Sequence, residues 1–144
     1  MMPTRSRSRE DAIRSLDTVI VDVPLRRKHF HATGTHSGQS YVFVKLLTEG
    51  GAIGIGEGVT PGGGAFWGGE SVETIKAVID RYLGPAIIGC NVFALEPILE
   101  RMDRSAARNN CAKSAVDIAV HDVVGKLLNA PVSLLYGGRR RDSK

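Results

Sequence analysis

The stretch that decides the fold is residues 39–57, QSYVFVKLLTEGGAIGIGE. Its first half is rich in β-branched and aromatic residues, which predicts a strand over Gln39–Thr48. A second strand is predicted over Ala52–Glu57, where the glycines indicate close packing or a bend. The intervening Glu49-Gly50-Gly51 is typical of a tight turn. We therefore expect an antiparallel hairpin here.

Towards the N-terminus, Ser15–Leu25 (SLDTVIVDVPL) alternates between apolar and polar residues and is rich in β-branched ones, which predicts a further strand that ends near Pro24. The next segment, Arg26–Gly38, is polar and contains three histidines and three basic residues. We interpret it as a long exposed loop, and loops of this length are often functional. The simplest topology for the three strands is an antiparallel meander.

Towards the C-terminus, the hydrophobic period changes from two to 3.6, which predicts helices. Ser71 is the expected N-cap of the first helix, and Gly84-Pro85 are expected to end it. The second helix is predicted over about Ala94–Arg104 and the third over about Ala112–Leu128. The expected inward residues of the first helix are Val72, Ile75, Val78, Ile79 and Tyr82. Those of the third are Ala115, Ile118, Ala119, Val123 and Val124.

Strands followed by helices predict an α+β fold, a three-stranded antiparallel meander followed by a helical bundle. With 144 residues, the chain is long enough for one domain but too short for a (β/α)8 barrel, which needs about 200 residues or more. The net charge of +4 is spread along the chain without a nucleic-acid-binding motif, so we expect no nucleic acid partner. No apolar run approaches the ~18 residues of a membrane span.

Two cysteines, Cys90 and Cys111, form no CxxC pair, and the chain starts without an apolar signal sequence. They are interpreted as reduced, buried thiols of a cytoplasmic protein. The Arg/Ser-rich start is interpreted as a disordered lead.

The Gly-rich segment Gly58–Gly69 contains Pro61 and the adjacent aromatics Phe66 and Trp67. Glycines permit sharp reversals, so the composition fits a mobile flap whose aromatics cover an apolar ligand. The alternative is that the two aromatics are merely partly packed surface residues.

Three interpretations of Arg26–Gly38 remain open. His29, His31 and His36 could form a metal cluster, although their spacing fits no usual zinc finger. The segment could be a solvated loop without function. Its basic and imidazole groups could also attract an anionic substrate, which is the interpretation we favour.

Two further patterns carry little chemistry. Asp117, His121 and Asp122 share one predicted helix, where a hydrogen-bonding role at the helix surface or between domains is favoured over metal binding. The glycines of Gly54-x-Gly56-x-Gly58 lie within a strand and not at a strand-to-helix turn, so we exclude a dinucleotide-type phosphate cradle. The residues therefore provide no complete catalytic set.

Longer stretches of the sequence resemble a known family. GIGEGVTPGG at residues 54–63, followed by WGGES at 67–71, resembles the muconate cycloisomerases of the enolase superfamily. IKAVID at 75–80 and LGPAIIG at 83–89 are similar to the same enzymes. AKSAVD at 112–117 resembles the mandelate racemase/muconate lactonizing signature, which continues through Asp122, Gly125-Lys126, Pro131-Val132 and Gly137-Gly138-Arg139.

The resemblance implies an N-terminal capping domain over residues 15–138, preceded by a disordered lead over 1–14 and followed at 139–144 by the start of a linker. The implied catalytic barrel would supply the catalytic lysines and the carboxylates that hold Mn²⁺ or Mg²⁺, so no catalytic or metal-binding residue is expected in this chain. The implied reaction is the isomerisation of cis,cis-muconate to muconolactone in catechol degradation. The implied partners are a small dicarboxylate substrate, the chain's own barrel and further copies in a homo-oligomer.

By position, the two loops of such a cap match Arg26–Gly38 and the Gly-rich segment. The resemblance thus implies substrate-binding or specificity roles for Arg27, His31, Pro61, Phe66 and Trp67. Two alternatives stay open: the cap of another enolase-superfamily enzyme, acting on a dipeptide or an acid sugar, and a free-standing binding module.

Overall fold

A computed structural model of the protein describes residues 9–31, 34–60 and 69–138, without the side chains of His29, His31 and His36. Its sheet contains β1 (Ile13–His31), β2 (Gly34–Thr48) and β3 (Ile53–Gly58), in the order β1-β2-β3. Both neighbouring pairs of strands are antiparallel. The predicted three-stranded antiparallel meander is confirmed.

The polar segment Arg26–Gly38, predicted to be a long loop, is instead the far end of the β1-β2 hairpin. The ladder is irregular between Pro24 and His29, then resumes and closes at the pair His31 and Gly34. Backbone pairing makes these strands, whereas the side chains whose exposure is described from Arg26 to Gly38 are exposed. The sequence therefore offered no apolar alternation from which to predict them.

The first helical region runs further than predicted. α1 (Val72–Val78) leads into a π-helical turn (Ile79–Leu83) and then into α2 (Gly84–Ile87). The prediction that Gly84-Pro85 end the helix is wrong. Because a new α-helical turn begins at Gly84, Pro85 occupies a first-turn position at which its missing N–H is not needed.

The π-helical turn also changes which residue faces inward. Tyr82, predicted to lie on the apolar face, is 53% exposed, whereas Leu83 is fully buried. A π-helical turn contains more residues than an α-helical one, so the fourth residue after Ile79 takes the inward position in place of the third.

The second and third predicted helices are present as α3 (Leu95–Ser105) and α4 (Asn110–Leu128), and a short α5 (Val132–Leu135) follows. Four of the five inward residues predicted for the third helix are buried in α4. Ile118 is the exception, at 45% exposed, because it lies on the side of α4 that faces away from the core.

The core lies between the helices and one face of the sheet. Val42, Val44 and Leu46 of β2 are fully buried there, since every second side chain of a strand lies on the same face of the sheet. α4 lies directly on β3, since a Cβ added at Gly54 or Gly56 would overlap a carbonyl oxygen of α4. The close packing predicted for these glycines is confirmed, and it leaves no room for a phosphate between them and the helix.

Ordered structure begins before Ser15, where the predicted domain starts. Ile13, the first residue of β1, is 1% exposed, and its backbone N–H donates to the carbonyl oxygen of Cys90 at 2.8 Å. Ile13 and Arg14 therefore belong to the sheet rather than to the predicted lead. Residues 1–8 of that lead, and residues 139–144 of the predicted linker, lie outside the described residues.

Candidate functional site

Both segments that the sequence singles out start from the same end of the sheet. β3 ends at Gly58, which pairs with Val42 of β2. From Val42, β2 extends back to Gly34, a length of up to about 27 Å at the usual rise per residue. The Gly-rich segment 58–69 therefore leaves the sheet at the base of the projecting hairpin. We call residues 24–31 and 34–38 of this hairpin the hairpin tip.

The hairpin tip carries three neighbouring positive charges. Arg26, Arg27 and Lys28 lie in the irregular part of the ladder and are exposed. Among the described residues, no carboxylate lies within ion-pair distance of them. Phe30, in the same part of the hairpin, is 78% exposed. An exposed, uncompensated group of cations is suited to attract an anion.

The remaining predicted site residues are placed only in part. The backbone of His31 closes the β1-β2 ladder opposite Gly34, but its side chain is not among those described. Pro61, Phe66 and Trp67 lie outside the described residues. The structure therefore locates Arg27 and leaves the juxtaposition of the five residues a prediction.

Both described flanks of the Gly-rich segment rest on the first turns of α4. On the N-terminal side, a Cβ at Gly58 would lie 3.0 Å from the Cβ of Ala115, so the strand end is packed tightly against the helix. On the C-terminal side, the Glu70 carboxylate accepts hydrogen bonds from the backbone N–H groups of Cys111 (3.0 Å) and Ala112 (3.1 Å).

Sequence reasoning missed the role of Glu70. The residue at the N-cap of α4, Asn109, has a φ of 53°, and its side chain makes no capping hydrogen bond to the helix but donates to the carbonyl oxygen of Ala107 at 2.8 Å. The first N–H groups of α4 therefore need an acceptor from elsewhere. Glu70 supplies it from 41 positions away in the chain. The sequence carried no signal for this contact, because Asn is itself a favoured N-cap residue and its failure to cap α4 is seen only in the structure.

Ser71 begins α1 as predicted. Its backbone N–H donates to the Thr74 hydroxyl at 2.8 Å, and its own hydroxyl accepts from the Thr74 N–H, which completes a capping box. The Ser71 hydroxyl also donates to the Glu73 carboxylate at 2.6 Å. This hydrogen bond holds the pKa of Glu73 below its usual value.

The two cysteines are free thiols, Cys90 buried and Cys111 half-buried. Burial raises the pKa of the Cys111 thiol, and the nearby Glu70 carboxylate adds to the rise. A raised pKa keeps the thiol protonated and poorly nucleophilic at neutral pH. Cys111 is therefore not an activated nucleophile.

His121 holds α4 and the end of α5 together. One imidazole nitrogen, Nδ1, lies 2.9 Å from the carbonyl oxygen of Asp117, and Nε2 lies 2.8 Å from the Tyr136 hydroxyl. The Tyr136 ring stacks on the imidazole at 5.1 Å between centroids. The hydrogen bonds that the sequence analysis favoured over a metal site are present, although they lie within the domain.

Asp122 and Lys126 of α4 bind the edge strand β3. The Ile55 N–H donates to the Asp122 carboxylate at 2.7 Å, and the Lys126 ammonium donates to the Ile53 carbonyl at 3.0 Å. The two side chains also form an ion pair, at 2.6 Å. Helix side chains thus satisfy backbone groups that face away from β2.

Residues 9–31, 34–60 and 69–138 bring together no group of three or more His, Cys, Asp or Glu side chains that could hold a metal ion. They therefore do not fit the divalent metal that the resemblance implies for the complete enzyme. Likewise, no helix within these ranges is both long and apolar enough to cross a membrane.

Comparison with known proteins identifies the domain. The sequence profile of the mandelate racemase / muconate lactonizing enzyme N-terminal domain matches residues 15–137. The chain belongs to this family. Its α+β fold is accordingly that of the family's N-terminal domain.

Two relatives with named activities are similar to nearly the whole of this chain. Muconate cycloisomerase 1 of Rhodococcus opacus is 44% identical over 132 residues, which cover 92% of this chain and 35% of the relative. A chloromuconate cycloisomerase of Cupriavidus necator is 46% identical over 131 residues, covering 91% of this chain and 35% of the relative. The chain thus spans about a third of the length of these relatives.

Solved structures of the family superpose closely on the domain. The muconate lactonizing enzyme of Pseudomonas fluorescens, complexed with muconolactone, gives a TM-score of 0.87 at 41% identity, covering 92% of this chain and 36% of that one. The N-succinyl Arg/Lys racemase of Bacillus cereus gives a TM-score of 0.83 at 36% identity, covering 90% and 34%. The fold is therefore shared by a muconate lactonizing enzyme and an N-succinyl Arg/Lys racemase.

Proposed function

We propose that this chain is the substrate-capping and specificity domain of a muconate or chloromuconate cycloisomerase, an isomerase that interconverts cis,cis-muconate and muconolactone. The observation that carries the proposal is the common origin of the hairpin tip and the Gly-rich segment at one end of the sheet. The named relatives, muconate and chloromuconate cycloisomerases, support the choice of substrate.

The chemistry of muconate suits these two segments. Muconate is a dianion with a conjugated apolar middle. The exposed cations of the hairpin tip, Arg27 among them, would attract its carboxylates, and His31 would add to this attraction when protonated. Pro61, Phe66 and Trp67 of the Gly-rich segment would contact the apolar middle and exclude water from the site.

The chemical step belongs, in this proposal, to the barrel that the relatives' remaining length would contain. When bound there, Mn²⁺ or Mg²⁺ would stabilise the negative charge that develops on the substrate. This chain would bind and orient the substrate and would be inactive alone. A cytoplasmic location and assembly into a homo-oligomer are further parts of the proposal.

The main alternative is the cap of a racemase of the same family. The N-succinyl Arg/Lys racemase of Bacillus cereus favours it, because that structure superposes almost as well as the muconate lactonizing enzyme. Its name indicates an N-succinyl amino acid as substrate. Assaying the full-length enzyme with N-succinyl-arginine, N-succinyl-lysine and cis,cis-muconate discriminates the two functions.

Substitutions in the full-length enzyme test the capping role. We expect Trp67→Ala to raise KM for cis,cis-muconate or to change the preference among chlorinated muconates, because it removes the largest apolar side chain of the Gly-rich segment. Arg27→Ala should raise KM at low salt more than at high salt, since its effect would be electrostatic. Arg104→Ala on α3 is the matched control and should leave both quantities unchanged. Unaltered kinetics in Trp67→Ala and Arg27→Ala would refute the proposal.

A further inference from the structure

At the exit of the Gly-rich segment lie Gly69, Glu70 and Ser71, and each has a different structural role. Gly69 has a φ of 89°, a left-handed conformation that favours glycine and reverses the chain. Glu70 then hydrogen-bonds to the first N–H groups of α4, and Ser71 caps α1. The exit of the segment is thus bound to two helices within the space of two residues.

Of these attachments, only the one made by Glu70 reaches across the domain. The capping box of Ser71 is local, since it joins residues three positions apart. Glu70 joins residues that are 41 and 42 positions apart. Loss of its carboxylate would therefore leave α1 capped but would free the segment's exit from α4.

Glu70 also suits the position electrostatically. The first turn of α4 contains no acidic residue, and the side chain of its N-cap residue makes no capping hydrogen bond. A carboxylate that accepts two N–H groups at a helix start is stabilised by both the hydrogen bonds and the helix dipole. Its shape complements two adjacent N–H donors, so it fixes orientation as well as distance.

The entrance of the segment is held on the same helix. Gly58 packs beside Ala115, about one turn further along α4 than Cys111 and Ala112. The entrance and the exit of the Gly-rich segment therefore both contact the N-terminal part of α4. We propose that Glu70 is a positioning residue that fixes the exit of the Gly-rich segment on α4 and, through it, tunes substrate specificity. The second part of this inference rests on the proposed function.

The first test uses the chain itself. We expect Glu70→Ala to raise the hydrogen-exchange rates of the Cys111 and Ala112 amides on the order of tenfold, because hydrogen bonds to a charged group are lost. Glu70→Gln should give a smaller increase, because its amide oxygen still accepts one N–H. The matched control is Glu73→Gln, whose carboxylate contacts Ser71 but not α4. Far-UV circular dichroism melts check that each variant folds.

Trp67 provides the readout of positioning, because it is the single tryptophan of the chain. We expect the quenching of its fluorescence by acrylamide to differ between Glu70→Ala and the parent chain, with Glu70→Gln intermediate and Glu73→Gln unchanged. Faster exchange at Cys111 and Ala112 without any change at Trp67 would show Glu70 to be a helix cap only and would overturn the proposal. If Glu70→Ala does not fold, Glu70→Gln decides by the same criterion.

Kinetics of the full-length enzyme separate this inference from the proposed function. A specificity role predicts that Glu70→Gln changes KM for muconates more than kcat. A change at Trp67 accompanied by unchanged kinetics with every muconate would uphold the positioning of the exit and overturn its role in specificity. Trp67→Ala then tells whether the capping function itself fails, because that variant removes the contact without touching Glu70.

Discussion

The base of the domain, by which we mean β3 and the part of α4 that packs on it, differs from the hairpin tip of the same sheet in how closely its residues are packed. At the base, β3 lies so close to α4 that Gly54 and Gly56 have no room for a Cβ. At the tip, strands β1 and β2 pair with each other, and their described side chains from Arg26 to Gly38 are exposed. One region is specified by contacts, and the other by backbone pairing alone.

This difference shows where the sequence is free to vary. A residue of the base must satisfy its packing neighbours, so few substitutions are tolerated there. A residue of the tip has few neighbours, so its side chain can change with little effect on folding. If the hairpin tip contributes to substrate selection, as we propose, its residues can change without loss of the fold.

The largest effect on stability is expected for a substitution at Gly56, where the base is packed most closely. Gly56→Ala should reduce the free energy of unfolding by about 3 kcal/mol, because the added methyl group would displace α4 from β3. Urea denaturation followed by circular dichroism measures the change. Gly38→Ala is the matched control, since its Cβ would meet only ordinary contacts, and it should cost far less. Equal stability of the two variants would contradict the close approach of α4.

A smaller effect is expected where α4 binds the edge of β3. Asp122→Ala should cost about 1 kcal/mol of unfolding free energy, because the Ile55 N–H loses a charged acceptor. Glu100→Ala removes an ion pair of the same i,i+4 spacing that holds no backbone group, and should cost only about 0.3 kcal/mol. If both substitutions cost the same in urea denaturation, Asp122 contributes no more than its ion pair with Lys126.

The reactivity of Cys111, at the start of α4, should depend on pH in a way that reports on its surroundings. Because the pKa of its thiol is raised, the thiolate fraction at mildly alkaline pH is smaller than for a free thiol, and alkylation by iodoacetamide should be slower. The rate should still be climbing above about pH 8.5, where a free thiol is already half ionised. Peptide mass spectrometry measures it against the urea-unfolded chain.

Glu70→Gln should shift the midpoint of this alkylation profile back towards lower pH, since the Glu70 carboxylate contributes to the raised pKa. Restricted access alone would slow the reaction equally at every pH and leave the midpoint unmoved. A midpoint equal to that of the unfolded chain would exclude the raised pKa.

The smallest effect on stability is expected at the tip. Arg27→Ala should change the free energy of unfolding by less than about 0.5 kcal/mol, because the side chain is exposed and has no ion-pair partner among the described residues. Urea denaturation beside Arg81→Ala, an exposed arginine on the π-helical turn, provides the reference. A loss well above that of Arg81→Ala would mean that the tip is also specified by side-chain contacts.

The same contrast explains what the sequence could predict. Val42, Val44 and Leu46 alternate because one face of β2 is buried, so the central strands were predictable. The strand beyond Pro24 was not, since its exposed side chains are under no such constraint. Tyr82 was misassigned because the π-helical turn alters a periodicity that was assumed to be regular.

The candidate site was predictable only as far as local patterns reach. Gly-rich composition and clustered charge mark the two segments, and the strand register brings their starting points together. The attachment of Glu70 to α4 was not predictable, because it joins distant residues and depends on the missing cap at Asn109. The roles of Arg27, His31, Pro61, Phe66 and Trp67 stay predictions.

The contact between α4 and the edge of β3 has a consequence for association. An uncovered edge strand offers free N–H and C=O groups on which a strand of another copy can pair, the first step of many aggregation reactions. Here Asp122 and Lys126 occupy such groups at Ile55 and Ile53. The sheet is therefore closed to extension on that side by two charged side chains, and removing them would open a route to intermolecular β-structure.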